Sequence, residues 1–401
     1  MRIAVYHNSP SGGAKRALFE MVRRLVQRHE VDVFTLSCAS QEFCDLRSLV
    51  REHKVYPFEP LPLLPSPLGL FNHGLRTADL FRLGLVARWV AGEMNRGAYD
   101  VAFISNDQYT TSPMLLHFLK IPSVYFAQDP LRRVYDPPIP RPFWQLTGLR
   151  YWVDRLNALR SLYLAMLVRA DRANLHAATV VLVNSYFSGE TIYRLYGIAP
   201  RVCYLGVDTG VFRPLPLEKD GHVLSVGSLT PAKGFDFLIR SLALIPEGRR
   251  PLLLVVGNTA LAEEQAYLEA LANQHRVRIQ FRVLVQDSEL VRFYNSALAT
   301  LYAPILEPFG FVPLESIACG TPVIGVAEGG VRETVRHGEN GLLVDRDCQR
   351  FAKAIEQVLV WSPLMDNVRT EGPSYVREHW NWEDTVFRLE SHLLEAIGTF
   401  S

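Results

Sequence analysis

Short apolar runs alternate with stretches whose apolar positions recur every three or four residues, and this rhythm repeats along most of the chain. The run Ile3–Tyr6 is followed by a helical spacing of Leu18, Met21, Val22 and Leu25, and then by the run Val31–Leu36. Short runs rich in Val, Ile and aromatics fit strands covered on both faces, and a helical crossover between two of them makes them parallel. The rhythm resumes at Val101–Ser105, Ser123–Ala127 and Val180–Asn184, which predicts a first doubly wound α/β domain. A second series comprises Val223–Gly227, Leu252–Gly257, Ile279–Val285, Ala299–Tyr302, Pro322–Val326 and Leu342–Val344. Helical patterns separate these runs, so a second doubly wound sheet is expected. Between the two series, Phe212–Gly221 carries Pro214 and Pro216 among charged residues and reads as a stiff linker, with the boundary near 213–221.

Two stretches interrupt the first series. Residues 57–70 hold five prolines among leucines, which excludes a helix and predicts an extended apolar loop suited to acceptor or lipid contact. Residues 150–172 place Leu156, Leu159, Leu162, Tyr163, Met166 and Leu167 opposite Arg150, Arg155, Arg160, Arg169 and Arg172. An interior-facing helix with a solvated arginine face outweighs a membrane-surface helix there.

Composition supports two cores: 401 residues with 48% hydrophobic residues exceed what one small domain buries. The net charge of +1 hides an asymmetry, because residues 1–205 hold 24 Lys/Arg against 16 Asp/Glu and the remainder 18 against 25. A basic first half suits an anionic membrane surface or an anionic acceptor, and ordinary scatter of surface charge accounts for it equally well. The five cysteines form no C-x-x-C pair and have no His at metal spacing, so neither a disulfide framework nor a zinc site is indicated and a reducing cytoplasm fits. Met1–Tyr6 is too short for the apolar core of a signal peptide, and no run approaches the roughly 20 residues that span a bilayer. A cytoplasmic protein, soluble or peripheral on the inner face of the membrane, is expected.

The chemistry concentrates in Ala303–Ile324. A strand should end near Pro304, a turn should hold Glu307 to Gly310, a helix should begin at Phe311 or Val312, and Gly320-Thr321-Pro322 should stop it. Such a turn aims backbone N–H groups at an anion; Gly310 permits close approach, and the helix dipole favours a phosphate. Glu315, about one turn into the helix, has the two acceptor oxygens that vicinal hydroxyls such as those of a ribose need, and Glu307 has them for sugar hydroxyls. A Glu near a helix start is common on dipole grounds alone, so the pair by itself is a weak signal.

The surrounding residues strengthen it. The segment resembles the Glu-x7-Glu motif of the family-4 retaining glycosyltransferases, and over Leu290–Asp345 the likeness extends to Tyr294, Ala297, Glu307-Pro308-Phe309-Gly310, Ala318–Val323, Gly329-Gly330, Glu333 and Gly338–Leu342. The resemblance implies a GT-B fold, two Rossmann-like doubly wound domains facing each other across a cleft. It implies residues 1–212 as the acceptor-binding domain, 213–375 as the nucleotide-sugar domain, and 376–401 as a helix returning to the first domain.

Upstream, Val226–Gly234 ends a strand, turns and enters a helix, and the family places a Lys there to hold the donor diphosphate, a role that falls to Lys233. Ser228 stands where many relatives have an Arg. The implied donor set is Gly12, Gly13, Gly227, Ser228, Lys233, Glu307, Phe309, Gly310, Phe311, Val312 and Glu315, with Glu307 and Lys233 catalytic. Gln128, Asp129 and Arg132 follow a first-domain strand at the edge where open α/β sheets bind ligands and are candidate acceptor contacts; relatives often have His where Gln128 stands.

The donor implied is a UDP-, GDP- or ADP-linked sugar, a co-substrate rather than a cofactor, and the acceptor a glycan or a lipid-linked molecule of cell-surface polysaccharide or glycolipid synthesis. Nothing points to nucleic acid. Asp345-Arg346-Asp347 resembles a metal-binding Asp-x-Asp, but its place between a strand and a helical pattern fits helix capping, so no metal is assigned. A hydrolase would need carboxylates roughly 5–9.5 Å apart; eight residues of straight helix span about 12 Å, so Glu307 and Glu315 are expected to bind different ends of one ligand. A GT-B-like sugar-nucleotide epimerase and a non-catalytic sugar-nucleotide-binding subunit share this architecture and stay open.

Overall fold

A computed structural model of the chain describes residues 1–65, 68–144, 157–259, 261–360 and 362–400. The chain divides into two compact units, Met1–Cys203 with Thr385–Ser401, and Tyr204–Asp384.

Among the described residues the first unit holds seven strands: β1 (Arg2–Asn8), β2 (Glu30–Leu36), β3 (Glu52–Tyr56), β4 (Val101–Asp107), β5 (Ser123–Phe126), β6 (Val180–Val183) and β7 (Arg201–Val202). They form one parallel sheet in the order β3-β2-β1-β4-β5-β6-β7. Strand order reverses between β1 and β4, the position at which an open α/β sheet leaves a crevice beyond its carboxyl ends. One face of the core packs Tyr6, Phe34, Ile104 and Tyr125 against Leu83, Val90 and Met94 of the helix Asn72–Arg96. Residues near the carboxyl end join this unit: Glu390 accepts hydrogen bonds from Arg28 Nη1 and His29 Nε2, each at 2.9 Å.

The second unit holds β8 (His222–Val226), β9 (Leu252–Gly257), β10 (Ile279–Val283), β11 (Thr300–Tyr302), β12 (Val323–Val326) and β13 (Gly341–Val344). They too form one parallel sheet, ordered β10-β9-β8-β11-β12-β13, with its reversal between β8 and β11. Val223, Leu253, Val255, Leu301 and Ile324 are buried beneath Leu238, Leu242, Phe351 and Ile355. Two doubly wound parallel sheets are thus present, as the apolar rhythm predicts.

Three elements differ from expectation. β3 is polar (Glu52-His53-Lys54-Val55-Tyr56) because it is an edge strand with one neighbour, so it lacks the apolar signature of a covered strand. The 25-residue helix Asn72–Arg96 carries no legible period because it is apolar on its exposed face as well as its buried one. The arginine-rich helix runs over Ala158–His176, with Asn157 as its cap accepting from the amides of Leu159 and Arg160. The expected positions Arg150, Arg155 and Leu156 lie outside the described residues. Leu167 and Leu175 are buried as an interior-facing helix requires, whereas Leu162 is 51% exposed.

The proline-rich stretch is irregular as far as Pro65, and Leu68–Phe71 forms a single 3-10 turn. Ser66 and Pro67 lie outside the described residues. Asp79 pins this stretch by accepting from the Leu61 amide at 3.0 Å, and Asn72 exchanges two hydrogen bonds with the backbone of Leu64.

Candidate active site

In the second unit, the loops that follow β8 and β11 leave the sheet at its point of reversal and meet. Ile305 donates to the Ala232 carbonyl at 2.8 Å, joining the two loops through their backbones. Gly234 makes this approach feasible: it sits at φ 68°, and a Cβ there would lie 2.2 Å from the Ala303 carbonyl oxygen. Lys233 Nζ then donates to Glu307 Oε2 at 2.8 Å, an ion pair closed across 74 residues of sequence. Their side chains are 23% and 18% exposed, so both are partly shielded and still reachable. Gly227 (φ 158°) and Ser228 form the turn at the end of β8.

The turn carrying Glu307 is held from three sides. Arg346 donates to the carbonyls of Ala303 (3.0 Å) and Pro304 (2.9 Å) while its guanidinium pairs with both carboxylate oxygens of Glu328. Gly330 donates its amide to the Glu307 carbonyl at 2.8 Å. A Cβ at Gly329 would fall 2.3 Å from the Glu307 oxygen, and one at Gly330 2.3 Å from the Pro308 oxygen, so the pair of glycines is what allows the turn to lie where it does. Leu306 takes φ 48°, a left-handed conformation that costs a non-glycine residue about 1–2 kcal/mol, immediately before Glu307.

The helix Phe311–Ala318 starts from Gly310 (φ 112°) with no side-chain cap. Its third residue, Pro313, has no N–H, and the amides of Gly310, Phe311 and Val312 have no partner within the helix. Donors and a dipole of the sign that attracts an anion therefore end beside Lys233 and Glu307. Phe309 is buried edge-on against Phe311 and Trp380, so it is its backbone that faces the turn's surroundings. Glu315 is only 5% exposed and accepts from Tyr294 Oη at 2.8 Å. Burial first, and the neighbouring carboxylate second, raise the Tyr294 phenol well above its ordinary range, so it stays a hydrogen-bond donor. Asp347 accepts from the Arg350 amide at 2.8 Å, the capping contact expected of it.

The first unit holds the remaining candidates. Gly12 (φ 149°) ends the turn after β1, and Gly13 opens the helix Gly13–Leu25. Gln128 is buried, and its side-chain amide donates to the Ala14 carbonyl at 3.2 Å, tying the turn after β5 to the glycine turn. Asp129 is partly exposed, and Arg132 Nε donates to Asp136 at 2.7 Å.

Sequence reading overlooked two buried groups here. Lys15 lies 1% exposed with Nζ 2.9 Å from His7 Nε2, and burial lowers its pKa to about 8. Asp107, at the carboxyl end of β4, accepts from Asn8 Nδ2 (2.9 Å) and from the amides of Tyr109 (2.8 Å) and Thr110 (3.1 Å), while burial raises its carboxyl above the usual range. Its place at the end of a predicted strand was the available signal.

Known proteins resolve what this arrangement belongs to. The family model described as glycosyl transferases group 1 matches residues 211–374, and that of glycosyltransferase family 4 matches residues 11–211. The chain belongs to this glycosyltransferase family. It is 36% identical to a D-inositol 3-phosphate glycosyltransferase of Acidothermus cellulolyticus, across 92% of this chain and 83% of that one. A protein of the same description from Thermobispora bispora is 30% identical across 96% and 90%. Among solved structures, Anabaena HepE in complex with UDP and glucose superposes with a TM-score of 0.71 at 20% identity, covering 98% of this chain and 99% of that one. The glycosyltransferase thus has the GT-B fold and is an enzyme of the hexosyltransferase type. No helix among its described residues is long and apolar enough to cross a membrane.

Proposed function

We propose that the enzyme transfers a sugar from a nucleotide-diphosphate sugar to a glycan or lipid-linked acceptor, with retention of configuration, in the synthesis of cell-surface polysaccharide or glycolipid. The observation that carries this is the Lys233–Glu307 pair at 2.8 Å, beside an uncapped helix start at the reversal of the second sheet. When a glycosidic bond to a diphosphate breaks, charge develops on the departing phosphate oxygen. A lysine and several backbone amides fixed around that position stabilise the charge as it forms, without reorganising. In this reading Lys233 and the amides of Gly310, Phe311 and Val312 bind the diphosphate, and Gly227 and Ser228 leave room for it. Glu307 orients the sugar and Glu315, held by Tyr294, the ribose. Because the protein supplies the positive charge, no metal or cofactor beyond the co-substrate is required.

The HepE complex with UDP and glucose supports a uridine nucleotide as the first donor to try. The names of the D-inositol 3-phosphate glycosyltransferases put a phosphorylated polyol on the acceptor panel beside glycans and lipid-linked sugars. Gln128, Asp129 and Arg132 are the proposed acceptor contacts, Asp129 and Arg132 through their side chains.

Thermal-shift screening against UDP-, GDP- and ADP-sugars identifies the donor, since a ligand that binds only the folded state raises the melting temperature. Turnover of that donor with the acceptor panel, in the presence and absence of EDTA, then tests the reaction. The expected result is nucleotide diphosphate plus a glycoside of unchanged anomeric configuration, at the same rate in EDTA. Inverted product, or epimerised donor without acceptor, would overturn the proposal.

A further inference from the structure

The helix Asn72–Arg96 presents two apolar faces, and the fold accounts for one. Leu80, Leu83, Ala87, Val90, Ala91 and Met94 are buried. On the opposite side, Phe81 is 64% exposed, Leu85 71% and Trp89 50%. Their spacing of four residues sets them in one row along the helix, which at 1.5 Å per residue is about 37 Å long. Three large side chains in a row on one exposed helix face are more than the scattered apolar residues any soluble surface carries.

Positive charge predominates around the row. Arg88 and Arg96 share the exposed face, and neither has an ion-pair partner among the described residues. The nearest carboxylate on the helix, Glu93, is engaged by Tyr56 Oη at 2.7 Å and Trp89 Nε1 at 3.0 Å. At the amino end of the helix, Phe71 is 48% exposed, and the loop held to Asn72 adds Leu63 at 60%. The excess of Lys and Arg over Asp and Glu in residues 1–205 gives the surrounding unit the same sign.

We propose that this face docks on an anionic lipid surface, with the helix lying in the plane of the headgroups. Phe81, Leu85 and Trp89 enter the acyl boundary, and Arg88 and Arg96 keep their guanidiniums at the lipid phosphates while their stems lie along the apolar row. Uncompensated arginines favour this occupant over a protein partner or a second copy of the chain, because an anionic bilayer supplies phosphates along the whole helix without needing matched side chains. The inference deepens the peripheral, lipid-linked part of the proposed function. It is read without turnover, so the failure of either can be told from the failure of the other.

Co-sedimentation with vesicles of phosphatidylcholine containing a minority of phosphatidylglycerol tests it, with light scattering of the lipid-free protein alongside. The wild type should sediment with these vesicles, less as salt is raised, and poorly with phosphatidylcholine alone. The triple variant F81S/L85S/W89S should bind at least about tenfold more weakly, and R88Q/R96Q should lose most of the preference for the anionic lipid. R88Q/R96Q and the double variant F81S/L85S should keep the wild-type melting temperature, since those side chains are exposed, whereas Trp89 also packs edge-on against Tyr56 and donates to Glu93, so F81S/L85S is the stability control for the triple variant. Wild-type protein that stays in the supernatant, or a triple variant that sediments like the wild type, would overturn the proposal. So would a lipid-free dimer that the triple variant dissolves, which would assign the face to a second copy.

Discussion

Replacing Lys233 with Ala should separate catalysis from stability. In the folded protein Lys233 Nζ meets Glu307 Oε2 at 2.8 Å, with both side chains less than a quarter exposed. A partly exposed ion pair contributes about 1 kcal/mol or less to folding, because solvent screens it and two long side chains must be held still. The same ammonium acting on a departing diphosphate is a different quantity. Two unit charges about 4 Å apart at an effective dielectric constant of about 20 interact by about 4 kcal/mol. If that interaction develops mainly as the glycosidic bond breaks, its loss lowers kcat by about a thousandfold, at 1.36 kcal/mol per factor of ten.

The assay is release of nucleotide diphosphate at saturating donor and acceptor, with thermal melting of the same preparations. K233A should lose most of kcat while its melting temperature stays near that of the wild type. K233R, which restores the charge on a bulkier fork, should recover part of the rate. A K233A enzyme with wild-type kcat and only a raised KM would refute the reasoning, since Lys233 would then bind ground state and transition state alike.

The other expectations concern the groups around this pair. Tyr294→Phe removes the donor to buried Glu315 and should cost about 1–3 kcal/mol in chemical denaturation, together with a raised KM for the donor. Gly330→Ala suits the backbone at φ −71°, so what opposes it is the Pro308–Phe309 backbone, whose Pro308 oxygen, Pro308 carbon and Phe309 Cα lie 2.3, 2.8 and 2.9 Å from the new Cβ; it should destabilise by about 1–3 kcal/mol and lower turnover by displacing Glu307, measured by melting and by kcat. Lys15 titrates at about 8 in the fold against 10.5 in the unfolded chain, so between these values the unfolded chain binds more protons and stability rises with pH; below pH 8 the full penalty, about 3 kcal/mol, is present. The stability gained by Lys15→Met should therefore be largest near neutral pH and shrink towards pH 10, and a difference that does not vary with pH would show that burial does not lower the Lys15 pKa.

Much of this protein is determined locally. A strand buried on both faces must be apolar throughout, so the central strands of both sheets, such as β4 and β9, stand out in the residue pattern. The turn from Glu307 to Gly310 and the helix start at Phe311 are equally legible, because the glycine and the stop at Gly320-Thr321-Pro322 are local signals. Edge strand β3 and the doubly apolar helix Asn72–Arg96 escape the same reading, since one is polar and the other lacks a period.

Tertiary structure alone decides which distant residues meet. The order of strands brings the end of β8 beside the end of β11, and only then do Lys233 and Glu307 form a pair. The same holds for Tyr294 with Glu315, for Arg346 with the carbonyls of Ala303 and Pro304, and for Gln128 with Ala14. The physical reason is that periodicity records what each segment buries, whereas the partner of a polar group is set by which strands become neighbours, and a parallel sheet pairs strands through crossovers whose order no single segment carries.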